Sequence, residues 1–332
     1  VIDSQTGDIA SFYDKHQQRE IFRQPGNQLQ FFTDQGQYWD AWNIDPSYQD
    51  YPLPSAQLES LIWLEQGPIR WRLRVIKVWQ NSHFIQDYIL DIHSPVLTIQ
   101  TQVNWQEDHV LLKTAFPFNL SSEAIAYEVA CGVMEKPTRP QTEAEKAQWE
   151  IAAHHWADLT DTTQHYGVSL LNDCKYGYDY QPQQLRLSLL RSPKWPDPHC
   201  DRGEHHFRYG LYPHAGNWQT AQTVRQGHQF NVPLRVIYPE IHPGQFGDRH
   251  SFLDLGSENL GLMAFKRQED HPQGWILRCY EYQGQTTALN LQTSLPLKLQ
   301  HSTNLLEEVR PLNVTITPWK IASFQLLKTG EI

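Results

Sequence analysis

Ile69-Arg70-Trp71-Arg72-Leu73-Arg74-Val75 alternates apolar and cationic residues without a break. A period of two places Ile69, Trp71, Leu73 and Val75 on one face of a strand and the three arginines on the other, toward solvent or a partner. The alternation returns in Leu97, Ile99, Thr101, Val103 and Trp105, in Val110, Leu112, Thr114 and Phe116, and in Leu185, Leu187 and Leu189. Half-buried antiparallel sheets follow from it. Short strands recur between turn-forming clusters such as Asp3 to Asp8 and Asn104 to His109, and few windows carry a helical period, so stacked sheets are expected rather than βαβ units.

The fold class is therefore all-β, a β-sandwich. One helix is predicted after Asn217, an N-cap, because Trp218, Ala221 and Val224 recur every three residues and Gly227 offers a stop. The stretch from Tyr238 to His250 carries Pro239, Pro243, Gly244 and Gly247, and the main domain boundary is placed there. Beyond it, Leu260 to Lys266, Trp275 to Tyr282, Thr286 to Leu291 and Ile321 to Leu327 read as strands of a smaller second sandwich over residues 251–332. The polar window Lys136 to Gln148 reads as an exposed loop or a short helix.

The 332 residues can bury a sizeable core and allow two or three domains. A formal charge of −10, from 37 acidic and 27 basic residues, offers no cationic surface for a phosphate backbone, which excludes nucleic acid as the expected partner. Cys131, Cys174, Cys200 and Cys279 are scattered, without metal or disulfide spacing, which fits a reducing, cytoplasmic setting. No apolar run approaches the roughly 20 residues that cross a bilayer, so no membrane partner is expected. Val1 to Asp8 reads as a strand entering a turn, which places the start of the protein further upstream.

Twelve tryptophans exceed what packing requires, so some are expected on flat sugar or peptide surfaces. The first candidate is Tyr38-Trp39-Asp40-Ala41-Trp42-Asn43-Ile44-Asp45-Pro46, where indoles alternate with carboxylates. An indole stacks on the C–H face of a sugar while carboxylates and amides meet its hydroxyls. The plainer alternative has the tryptophans anchoring a loop while Asp40 and Asp45 bond local backbone amides. A second candidate, Asn172-Asp173-Cys174-Lys175-Tyr176-Gly177, ends an apolar strand; turn formation and binding by Lys175 or Tyr176 both fit it.

The third is Arg191-Ser192-Pro193-Lys194-Trp195-Pro196-Asp197-Pro198-His199-Cys200-Asp201-Arg202-Gly203-Glu204-His205-His206, the densest polar cluster. It has no zinc-ligand spacing, so no metal site is assigned and a solvated loop is expected. Glu204 and His205 supply an acid and a base for an aldose epimerase, the competing enzyme reading. No phosphate loop, nucleophile elbow or Cys–His pair is present.

The three constellations, in this order, resemble the C-terminal half of glycoside hydrolase family 38 α-mannosidases of the bacterial and cytosolic type. Thr6-Gly7 to Tyr13-Asp14-Lys15, Gly26-Asn27-Gln28-Leu29, Tyr38 to Trp42, His155-Trp156-Ala157-Asp158-Leu159, Tyr166-Gly167-Val168, Leu187 to Pro193 and Tyr212-Pro213-His214-Ala215-Gly216 carry the likeness. Asn43 departs from it, where the family carries Asp. The resemblance implies a galactose-mutarotase-like super-sandwich over residues 1–237, a linker over 238–250 and a small β-sandwich after it. It also implies an aspartate nucleophile, a second carboxylic acid and zinc in an upstream barrel that has no counterpart here. On that reading the chain alone is inactive and needs no cofactor. It packs on the barrel as its partner and helps bind an α-mannoside through Tyr38, Trp39, Asp40, Trp42, Asp201, Arg202, Gly203 and His205, with Asp40 and Arg202 touching sugar hydroxyls. Stand-alone carbohydrate binding is the alternative. Members of the family often form homo-oligomers; the acidic sandwich surface names no interface for one.

Overall fold

Period-two segments become strands. The chain opens with a ribbon of β1 (Tyr13–Asp14) on β2 (Arg19–Glu20), then β3 (Gln28–Thr33) and a 3-10 turn at Pro46–Asp50. Four long strands follow: β4 (Gln57–Gln66), β5 (Arg70–Trp79), β6 (Ser82–Asp91) and β7 (Leu97–Trp105). After β8 (Val110–Pro117) come β9 (Ala124–Val129), β10 (Gly132–Pro137), the short helix α1 (Glu143–Lys146) and β11 (Ile151–Ala152). β12 (Trp156–Asp161), β13 (Tyr166–Asn172), β14 (Gly177–Gln181), β15 (Gln184–Leu190) and β16 (Gly203–Ala215) precede helix α2 (Thr223–Asn231). This computed structural model describes residues 1–36, 38–238, 240 and 243–329.

Residues 1–129 and 134–232 form one compact unit, and residues 130–133 with 233–332 a second. The division at Val232/Pro233 precedes the predicted linker, of which Pro239, Ile241 and His242 lie outside the described residues. In the first unit a nine-stranded sheet ordered β10-β9-β12-β13-β16-β7-β6-β5-β4 faces a five-stranded sheet ordered β11-β14-β15-β8-β3. Val75, Trp79, Phe84 and Trp105 from the larger sheet share one core with Phe31, Leu112, Phe116 and Leu187 from the smaller. Phe31 stacks on Trp79 with ring centres 4.2 Å apart. Each such buried side chain contributes about 1.5–3 kcal/mol, and that core fixes the register of both sheets.

Asn27 ties the sheets together by polar bonds. Its φ of 58° is a left-handed conformation that asparagine tolerates. Its Nδ2 donates to the Tyr88 hydroxyl at 2.6 Å and to Gln86 Oε1 at 3.1 Å. Its Oδ1 accepts from Thr114 at 2.8 Å and from Tyr209 at 2.6 Å. All its polar partners are thus found inside the sandwich, as burial demands.

The alternation at the start of β5 is only half buried. Leu73 and Val75 point inward, while Ile69 is 72% and Trp71 41% exposed, because the hairpin end outruns the core. On the other face Arg70 pairs with Asp91, and Arg72 and Arg74 both hold Asp87. β8 departs from its half-buried reading the other way, since all eight of its residues are buried. Leu111 packs under Tyr48 of the 3-10 turn. Lys113 is sealed in by Asp179 at 2.8 Å and Glu150 at 3.1 Å.

The helix predicted from Asn217 starts later. Asn217 closes a turn by accepting the Thr220 amide at 2.9 Å. α2 then runs past Gly227, which is a packing residue rather than a stop: a Cβ there would lie 2.8 Å from Trp156 Cδ1. In the polar window Lys136 to Gln148, Thr142 and Glu145 close a capping box around α1.

The second unit contains β17 (Leu253–Asp254), β18 (Leu260–Arg267), β19 (Gly274–Glu281), β20 (Thr287–Ala288), β21 (Gln292–Thr293), β22 (Leu297–Thr303), β23 (Val309–Arg310), β24 (Thr315–Ile316) and β25 (Ile321–Lys328). Its main sheet runs β18-β19-β25-β22-β23 over a core of Leu260, Leu277, Cys279, Phe324 and Leu326. The strand expected over Thr286 to Leu291 shrinks to the two residues of β20, paired with β24.

Candidate functional site

Two loops of the first unit meet, one following β3 and one following β15. Arg191 joins them. Its guanidinium grips Asp34 twice, at 2.6 and 3.0 Å, and donates to the carbonyls of Asp40 at 3.0 Å and Asn43 at 2.9 Å. Asp34 is buried, so this two-pronged, charge-assisted contact fixes the first loop against the second.

Asp40 is the reciprocal clamp. Its Oδ2 accepts the backbone amides of Lys194 at 2.6 Å and Trp195 at 3.2 Å. Asp45 behaves as the local reading expected, capping Ser47 at 2.9 Å. Asp40 does not, because its amides come from a loop some 150 residues on. Its carboxylate is therefore engaged in holding the loops together rather than presented outward to sugar hydroxyls.

The clamped loops present Trp39, Trp42 and Trp195 together. The Trp42 and Trp195 ring centres are 5.2 Å apart, and Trp39 and Trp195 6.3 Å. They are 67%, 66% and 53% exposed, with Tyr38 exposed beside them. Large aromatic groups left in water by a fixed scaffold mark a contact surface. Nothing in the local spacing of Tyr38 to Trp42 announced Trp195. The signal was its place in a proline-held loop ending in Asp201-Arg202-Gly203.

Below the tryptophans, Asp108 binds Lys194 at 2.6 Å and Arg202 Nε at 2.8 Å. Burial alone would raise the Asp108 pKa; hydrogen bonds from Lys194 and Arg202 outweigh it and hold the carboxyl below its usual range. Arg202 is half exposed and already paired, so it reaches a ligand only with the face not used by Asp108. Asp201 Oδ2 accepts the Arg191 amide at 3.3 Å, and its carbonyl lies 2.7 Å from His205 Nε2. Gly203, at φ 123°, takes a backbone shape that a side chain would strain. Asp34 lies outside the three candidate stretches, whereas Arg191, Lys194 and Trp195 lie within the third without having been singled out as site residues.

Glu204 and His205 are consecutive in β16 and so point to opposite faces of the sheet. They cannot flank one sugar ring as an epimerase requires. Among the described residues no three His, Cys, Asp or Glu side chains converge as metal ligands do. No disulfide joins the four cysteines among the described residues, and no helix among them is long and apolar enough to cross a membrane.

Residues 1–199 match the glycosyl hydrolases family 38 C-terminal domain, and residues 259–324 the C-terminal beta sandwich domain of the same family. The chain is 34% identical to alpha-mannosidase 2C1 of Homo sapiens over 91% of its own length and 30% of that protein's. With alpha-mannosidase G of Dictyostelium discoideum it shares 32% identity over 98% of this chain and 32% of that one. The crystal structure of an alpha-mannosidase from Enterococcus faecalis V583 superposes with a TM-score of 0.80 at 17% identity, covering 98% of this chain and 40% of that one. The chain belongs to the glycosyl hydrolase family 38 C-terminal region. It spans about a third of the length of the curated relatives it matches.

Proposed function

We propose that this chain is the non-catalytic C-terminal part of a cytoplasmic α-mannosidase, packing on the catalytic barrel and completing its mannoside-binding pocket during retaining hydrolysis. The observation that carries the reading is the platform of Trp39, Trp42 and Trp195, exposed yet held in place by Arg191–Asp34 and Asp40. A platform fixed before binding loses little entropy when a sugar's C–H face lands on it. Tyr38 and the outer face of Arg202 supply hydrogen bonds beside the rings, and Asp40 acts as the positioning residue. On this reading the nucleophile, the acid and a zinc ion would belong to the catalytic part, where zinc would act as a Lewis acid on the sugar hydroxyls.

The test is hydrolysis of an aryl α-mannoside, with zinc supplied, by this chain alone and by the full-length polypeptide, each with and without Trp42→Ala. Activity confined to the longer form, with KM raised about ten-fold by Trp42→Ala, a loss of about 1.4 kcal/mol of binding, supports the reading. Turnover by this chain alone overturns it. Mannoside affinity of this chain alone, without any effect on full-length turnover, makes it a stand-alone carbohydrate-binding module instead.

A further inference from the structure

An open pocket of about 230 Å³ lies beside the clamped loops, lined by Ala41, Lys175, Ser188, Arg191, Cys200 and Asp201. Lys175 enters it from the turn after β13. Buried Asn172 fixes that turn: its Oδ1 accepts the Lys175 amide at 3.1 Å, and its Nδ2 donates to the His154 carbonyl and the Tyr178 hydroxyl, each at 2.8 Å. The adjacent carboxylate, Asp173, is taken by Arg208, whose amide it accepts at 3.1 Å and whose guanidinium lies at 3.5 Å.

The Lys175 ammonium sits 4.7 Å from the centre of the Phe207 ring, and among the described residues no oxygen accepts a hydrogen bond from it. That sets it apart. Lys77, Lys113, Lys136 and Lys194, the other lysines drawn in from solvent, each donate a hydrogen bond to a carboxylate or amide oxygen. Burial pulls the Lys175 pKa down, while Cys174, then Asp201 on the same pocket and Asp173, favour the charged form.

A half-buried cation with unused donors, sharing a pocket with a carboxylate, is matched by a ligand that offers an acceptor and a donor side by side. Adjacent hydroxyls of a neutral saccharide do so. An anion meets Asp201 and an amine meets Lys175, so each is repelled by one wall. We propose that Lys175 and Asp201 together bind a vicinal pair of sugar hydroxyls in this pocket, Lys175 donating to one oxygen and Asp201 accepting from the other, and that they set which saccharide the protein takes. The inference rests on the proposed function, which brings a saccharide to this face.

Reductive methylation of lysines in the full-length polypeptide, read by peptide mass, tests it with methyl α-mannoside, methyl α-glucoside and inorganic phosphate as probes. Lys175 should be protected about five-fold by the mannoside and not by phosphate. Lys175→Met should raise KM for an aryl α-mannoside about ten-fold with kcat changed less than about three-fold, and Lys175→Arg should recover part of the loss. A melting curve matching that of the unaltered protein establishes that the Met variant folds; if it does not fold, protection in the unaltered protein decides. Hydrolysis of α-mannosides with unprotected Lys175 and unchanged KM overturns the inference and leaves the proposed function standing. Protection by the glucoside without α-mannoside hydrolysis overturns the proposed function and keeps the saccharide site. Protection by phosphate alone, or by no probe, overturns the inference.

Discussion

The tryptophans inside the sandwich and those on its two clamped loops are the same residue in opposite settings. Trp79 and Trp105 are buried, stacked with ring centres 6.4 Å apart, and Trp79 donates its indole N–H to the Pro54 carbonyl at 2.7 Å. Trp39, Trp42 and Trp195 keep their faces in water while the backbone beneath them is bound by Arg191 and Asp40. In the first setting the ring itself stabilises the fold; in the second the polar groups under it do. An indole's burden can thus be told from what lies behind it rather than from the residue.

Paired truncations break this comparison most directly. Trp105→Ala should cost about 3–5 kcal/mol of stability by leaving a large cavity, whereas Trp42→Ala should change it by less than about 0.5 kcal/mol. Urea unfolding of the two variants checks this, and equal losses would remove the distinction. Arg191→Ala should fall between them, costing about 3 kcal/mol because Asp34 is left buried without its cation. It should also free Trp42 and Trp195 to separate, seen as changed tryptophan fluorescence before any unfolding.

The smallest effect concerns pH. The hydrogen bond to Glu128 at 2.7 Å raises the pKa of His155, which is partly exposed, so water weakens the pair. A raised imidazole value means that its stabilisation is fully present below the ordinary value of about 6.5 and fades as pH rises through the higher folded value. Glu128→Gln should flatten the dependence of melting temperature on pH across that window. An unaltered slope would show that the pair contributes nothing to stability.

How much of this was legible follows from what each residue needs. β7 was readable because its burial alternates along the strand itself, as it does through most of β19. β8 was readable as a strand but not as one buried on both faces, since the partners of Lys113 come from distant positions, Glu150 and Asp179. The Tyr38 to Trp42 loop stood out by composition, and its likeness to the family added the Asp201 to Gly203 turn. Arg191 and Trp195 were in plain view but unselected, because their roles depend on a loop about 150 residues earlier. Gly227 was misread for a similar reason: its neighbour is Trp156, from another strand.

The pairing of β16 with both β7 and β13 has a kinetic consequence. Contacts between residues about 100 apart close large loops before they are rewarded, which slows folding. At a synthesis rate of about 5–20 residues per second, the hairpins of β4 to β7 wait roughly 5–20 seconds for β16 to emerge. During that interval the inward side of β7 has no strand beside it, and the nascent chain depends on chaperones or on speed to avoid pairing with its neighbours.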